Sequence, residues 1–131
     1  TSTMTVGTNA ASGYAVTYAA APTLTSGSNT ITALAAKTAS TQGQKQFGIN
    51  LMANTTPSIG AAVSGSGSGT VSTNYNTSNQ FMFNVAGDTV ATASAPTNNN
   101  IFTVSYIANV ATDTAACAYS TNINYIATAN F

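Results

Sequence analysis

Charge is the first thing this sequence lacks. Of 131 residues only Lys37, Lys45, Asp88 and Asp113 are charged, and there is no Glu, Arg, His or Trp. Soluble domains are charged at about a quarter of their positions. The 3% found here excludes a basic groove for nucleic acid, an acidic tail and long-range steering of a charged partner. General acid–base catalysis needs His, a carboxylate pair or a tuned Lys. Two aspartates in expected turns, Asp88 after Gly87 and Asp113, do not supply it. Zinc needs clustered Cys or His and calcium needs several carboxylates, so we expect no metal, no cofactor and no enzymatic activity.

Cysteine is nearly missing too. Cys117 stands alone, which excludes an intrachain disulfide, and its neighbours Ala116 and Ala118 offer nothing to activate a thiolate. No apolar run approaches the ~18 residues of a membrane span, and none could form a long hydrophobic N-terminal helix. No signal peptide opens at Thr1, so a secreted protein would be represented here in mature form. The Gly65, Gly67, Gly69 series lacks the Lys and following helix of a phosphate-binding loop.

What is present is small, neutral and polar. The chain has 24 Thr, 14 Ser and 15 Asn, and solubility must come from their hydroxyls and amides. Of the apolar residues 24 are Ala, and only 23 are Leu, Ile, Val or Phe. That predicts a thin core in one domain spanning 1–131.

Hydrophobicity alternates with period 2 almost throughout, the pattern of half-buried strands. Met4, Val6 and Thr8 form one face of a first strand, and Tyr14, Val16 and Tyr18 one face of a second. Phe47, Ile49, Leu51 and Ala53 mark a core strand ended by Pro57. Leu34–Ala39 is the one stretch where a helical turn competes. Ser64–Gly69 alternates Ser and Gly, and 63–70 reads as a flexible loop without packing side chains. Phe81, Phe83 and Val85 lead through Gly87-Asp88 into Thr89–Ser94, which reads as a hairpin. Phe102, Val104, Tyr106, Ala108 and Val110 face one way along the strongest strand. Ile101 and Ile107 on its other face suggest a partly covered central position. Ile123, Tyr125, Ala127, Ala129 and Phe131 line a last strand. About eight short, mostly antiparallel strands predict an all-β fold, a β-sandwich or jelly roll.

Three further features bear on chemistry. Lys37 or Lys45 with Asp88 or Asp113 could supply parts of a Lys–Asn isopeptide link, but solvated loop lysines are the better reading. Asn54-Thr55-Thr56 and Asn76-Thr77-Ser78 are acceptor sequons, making Asn54 and Asn76 candidate N-glycosylation sites. Tyr75 beside Asn74, Asn76 and Asn79 is the best candidate for an exposed aromatic set among amides, the usual make-up of a glycan contact.

Gln46-Phe47-Gly48-Ile49-Asn50-Leu51-Met52-Ala53-Asn54-Thr55, Asn79-Gln80-Phe81-Met82-Phe83, Gly87-Asp88-Thr89-Val90-Ala91, Phe102–Val110 and Tyr125–Phe131 together resemble a group of small, charge-poor proteins secreted onto prokaryotic cell surfaces. The resemblance runs from about Thr3 to Phe131 and carries no catalytic residues with it. Where that group has a Pro-Ala-Gly turn before the tyrosine matching Tyr119, this chain has Ala115-Ala116-Cys117-Ala118. In architecture the chain is similar to pilin-like subunits of filaments built by strand donation.

An open sheet edge leaves backbone groups unpaired, and native edges are normally guarded by charge or proline. This chain has few such guards. The expectation is therefore an extracellular filament or pilus subunit that pairs with itself, with residues 1–9 as donor strand and Thr3, Met4, Thr5, Val6 and Thr8 at the subunit interface. The alternative expectation is a cell-surface adhesin that binds surface glycans through Tyr75, Asn74 and Asn76. Neither reading includes a nucleic-acid partner or a membrane span.

Overall fold

Alternation of β-branched and aromatic residues with small polar ones produces strands and nothing else. The computed structural model describes residues 1–131, which form fourteen strands and no helix. In chain order these are β1 (Ser2–Thr8), β2 (Tyr14–Tyr18), β3 (Thr25–Ser26), β4 (Asn29–Thr30), β5 (Thr38–Ala39), β6 (Gln46–Asn50), β7 (Asn54–Thr55), β8 (Ser58–Ile59), β9 (Ser64–Gly65), β10 (Thr70–Val71), β11 (Gln80–Phe81), β12 (Asp88–Ala93), β13 (Thr97–Asn109) and β14 (Tyr125–Ala129). Six of them have five residues or more, and the other eight are two-residue ladders.

The long strands form two antiparallel sheets. One runs β1-β13-β6, with β9 also on β13; the other runs β10-β12-β2-β14. The ladders β3-β4, β5-β11 and β7-β8 fill the connections. This is the expected all-β sandwich. No helix is long and apolar enough to cross a membrane.

The sheets enclose one apolar cluster. Phe102 and Val104 from β13 meet Tyr14, Val16 and Tyr18 from β2 and Val90 from β12, with Phe47, Ile49, Leu51 and Phe83 alongside. Tyr18 stacks on Phe83 at 5.3 Å between ring centroids, and Phe83 meets Phe47 edge-on at 4.8 Å. Each fully buried side chain of this size contributes about 1.5–3 kcal/mol, and aromatic pairs add about 0.5–1.5 kcal/mol. A core poor in aliphatics is thus held largely by rings.

Local alternation failed to show where a strand changes sheet partner. β13 buries Phe102 and Val104, then Ser105 and Ile107. The buried face switches between Val104 and Ser105, where its pairing passes from β1 to β6. Both faces are therefore covered at Tyr106–Ile107, as the two isoleucines suggested, although Ile101 stays 38% exposed.

Three local expectations need correction. Leu34–Ala39 makes no helical turn, because Leu34 bonds across to Phe47 and Phe83 and Thr38–Ala39 enters a ladder with β11. The Phe81–Ser94 hairpin does not form. Met82 exchanges backbone bonds with Ile49 and Phe83 N–H donates to Leu34, holding that segment beside β6, while β12 pairs with β2 and β10 in the other sheet.

The Ser-Gly run is not a loose loop. β9 pairs with Asn100 and Ile101, Gly67 N–H donates to Asn99, and Asn100 bonds Gly67 C=O and Gly69 N–H at 3.0 and 2.8 Å. A Cβ on Gly65 would overlap Asn99, one on Gly67 would overlap Asn98 and Asn100, and one on Gly69 would overlap the Tyr14 hydroxyl. The glycines are there so that this segment can lie flat against β13.

Candidate assembly surface

The sequence-predicted interface residues all lie on β1. In antiparallel register Ser2, Met4 and Val6 oppose Val104, Phe102 and Asn100, and Thr3 and Thr5 oppose Thr103 and Ile101. Pairing places Met4 and Val6 on the inner face and Thr3 and Thr5 on the outer face. Thr8 lies beyond an irregularity at Gly7, where a Cβ would overlap the Asn99 side chain. The strand is thus paired within its own chain. It nevertheless buries no residue: Met4, Val6 and Thr8 are half-buried, and Thr3 and Thr5 are exposed. Half-burial of Met4 and Val6 contributes about 1 kcal/mol each, little for a seven-residue strand.

β14 bounds the second sheet on the same side. Ser2 Oγ lies 2.8 Å from Tyr106 Oη, which lies 3.2 Å from Tyr125 Oη, tying the start of β1 to the start of β14. At the other end Asn130 bonds Ser12 and Gly13 in the turn that follows β1. Ala127 and Ala129 oppose Val16 and Tyr14, so they share the inner face, yet both are exposed. Ile126 is 49% and Phe131 95% exposed. Of the row that the sequence assigns to the core, Ile123 and Tyr125 are half-buried against it, and Ala127, Ala129 and Phe131 stay uncovered. Neither β1 nor β14 contains a charged residue or a proline, so both open edges are unguarded.

The glycan-contact residues are placed differently from expectation. Tyr75 is fully buried. Its hydroxyl donates to Asp88 Oδ2 at 2.9 Å and lies 2.9 Å from Tyr18 Oη, to which Asn84 N–H also donates. Asn74 Nδ2 donates to the same Asp88 oxygen at 2.9 Å, and Thr89 N–H to the other. Asp88 is therefore an anchor for the segment around Tyr75 as well as a turn residue. Burial, then the adjoining Tyr18 and Asp88, push the Tyr75 phenol far above the ordinary range. A neutral phenol locked beneath the surface offers a sugar no ring face, and only Asn76 of the trio is exposed. Alternation gave no warning, because Tyr75 lies in an irregular segment and the group that fixes it is thirteen residues away.

Asn54 is also misjudged by its sequon. It is 7% exposed, and its Nδ2 donates to Met52 C=O, Ile59 C=O and Asn50 Oδ1 at 2.8, 3.0 and 2.9 Å. Asn50 returns the bond at 2.7 Å, and Asn79 N–H donates to Asn54 Oδ1 at 2.7 Å. Asn79, at φ 63°, in turn accepts from Thr55 and Thr56 N–H. Folding closes Asn54 to modification and leaves Asn76 open to it.

The remaining chemistry-bearing residues stay apart. Lys45 pairs with Asp113 at 2.9 Å on the surface, and that bond and charge hold the Asp113 carboxyl below its usual range. Lys37 donates to Thr73 C=O and the Thr77 hydroxyl. Neither amine bonds an asparagine side chain, so the isopeptide arrangement is not assembled. Cys117 is exposed, its thiol lowered by hydrogen bonds from Ser26 and Tyr119. A cleft of about 670 Å³, lined by Gly7, Thr8, Asn9, Ser66 and the segment Thr97–Asn99, contains no hydrophobic or aromatic residue.

Compared with known protein families, with curated proteins and with solved structures, the chain shows no match, and its functional reading rests on this geometry alone.

Proposed function

We propose that the protein is a structural subunit of an extracellular filament or pilus, joined to its neighbours by donation of β1. The observation that supports this is that β1, although paired in register with β13, buries none of its residues. It is an edge strand paired along one side, on a β13 that is itself firmly embedded. A neighbour's β1 would make the same contacts with β13, so exchange between copies costs little beyond loss of translational freedom. Neutrality favours the same reading, because contacts among surfaces with four charged side chains respond little to salt. Burial of Tyr75 removes the aromatic platform from the adhesin alternative.

Negative-stain microscopy of the purified protein tests the reading, with fibres the expected result. Deleting Thr1–Thr8 should abolish them, and a synthetic Thr1–Asn9 peptide should bind the shortened chain. Fibres that persist after the deletion would exclude β1 as the donated strand.

A further inference from the structure

The second open edge has its own geometry. Ala19 N–H donates to Asn124 C=O, and Asn130 N–H donates to Gly13 C=O. In an antiparallel ladder the residues that face the partner alternate. Ile126 and Thr128 therefore direct their backbone groups toward β2, as Asn124 and Asn130 do. The N–H and C=O of Tyr125, Ala127 and Ala129 point away from the sheet and have no strand beside them. The inner face of the same three residues is apolar, exposed at Ala127 and Ala129, and continued by Phe131.

We infer that β14 pairs with β14 of a second copy, antiparallel about a two-fold axis through Ala127, forming one continuous eight-stranded sheet. With Ala127 opposite Ala127 of the second copy, Tyr125 faces Ala129 and Ile126 faces Thr128. The outward backbone groups of all three odd-numbered residues then find partners. Phe131 falls opposite Ile123 of the second copy, the half-buried residue beside Tyr125 that borders the core. The 95% exposed ring is then set against Ile123 and, diagonally, Tyr125 of the second copy, both of which pack against that copy's core. Self-pairing brings no like charges together, because Asn122–Phe131 contains none. The contact is isologous, so it closes at two copies and is independent of β1 donation.

Register is tested by cysteine pairing. Opposed hydrogen-bonded residues have Cα atoms about 5.5 Å apart, inside the range a disulfide spans. In a Cys117→Ser background, Ala127→Cys should give a covalent dimer on exposure to oxidised glutathione, whereas Thr70→Cys, on the opposite edge strand β10, should not. Absence of the Ala127→Cys dimer, or equal dimer from both variants, overturns the inference.

Light scattering on the uncrosslinked protein is the second measurement. The unmodified chain should be dimeric or built from dimers, and Phe131→Ala should raise the dimer dissociation constant about tenfold. Ala127→Pro removes only an outward N–H and should abolish pairing without changing the circular dichroism spectrum. A dimer that survives Ala127→Pro with unchanged affinity also overturns the inference. Dimers without fibres would remove the strand-donation reading and leave this one standing; fibres without the Ala127→Cys crosslink would do the reverse.

Discussion

The asparagine knot at residues 50–59 and 77–80 and the open side between β1 and β14 are built from the same few residue types, with opposite results. In the knot, Asn50 and Asn54 exchange amide bonds and fasten Met52, Ile59, Asn79 and Gln80 around them. On the open side, threonines and alanines form strands whose outer backbone groups meet no partner. A neutral amide offers two donors and two acceptor positions in a small volume, so it can satisfy several backbone groups without a buried charge. What charge contributes elsewhere as an edge guard, a neutral chain cannot supply. Near-total neutrality therefore helps to lock the interior and leaves the edges free to pair.

The sharpest way to break this contrast is within the knot. Asn50→Ala takes away the side-chain donor to the Gln80 and Thr77 carbonyls and both amide bonds to Asn54, at a position that is itself fully buried. An unsatisfied buried group costs about 1–3 kcal/mol and the cavity adds to it, so thermal melting should fall by roughly 10 °C. A melting temperature unchanged by this substitution would show that the amides fill space without holding it. Gly67→Ala should have the next largest effect, because the added methyl meets Asn98 C=O and the Asn100 side chain. Forced overpacking costs about 1–3 kcal/mol, whereas a flexible linker would tolerate the change, and urea denaturation separates the two.

Titration sharpens the comparison further. Burial raises the phenols of Tyr14, Tyr18, Tyr75 and Tyr125 above their ordinary value. The folded protein thus prefers the neutral phenol more than the unfolded chain does. Stability from these groups is complete below about pH 10, where unfolded tyrosines ionise, and is lost as pH rises beyond it. Alkaline unfolding followed by the tyrosinate absorbance should be cooperative, and Tyr75→Phe should lower the starting stability. A gradual absorbance rise that tracks free tyrosine would contradict the buried placement. The smallest effect belongs to the surface pair. Asp113 is held low by Lys45, so its contribution exists above the usual carboxylate range and is lost as pH falls. Because the group is fully exposed, Lys45→Ala should leave the melting temperature unresolved from the parent.

Period-2 alternation was enough to find the major strands and the all-β class. It worked for β2, where Tyr14, Val16 and Tyr18 are buried, and it placed Phe47 and Ile49 of β6 in the core, although β6 ends at Asn50, is buried on both faces, and leaves the expected Ala53 exposed. It could not find features set by distant partners. The face switch in β13 was hidden because Tyr106 and Ile107 suit either side. The order of the Ser-Gly run comes from Asn100, about thirty residues on, and Tyr75 is held by Asp88. Asn54 looked like a surface acceptor because a sequon records local chemistry alone. On the candidate assembly surface, the alternation of β1 and the apolar row of β14 were legible in the sequence, but only pairing showed that both are edge strands on one side.

The Ser-Gly segment has a consequence for how this protein can change. Ser64, Ser66 and Ser68 all face solvent, while Gly65 and Gly67 lie closely against β13 and Gly69 against the Tyr14 hydroxyl. Every second position is therefore fixed by the fold and every other one is free. New side chains, or peptides grafted at the serines, would lie on the exposed side of the segment. A stretch that reads as filler is in effect a rail on which the surface can be rewritten without disturbing what lies beneath.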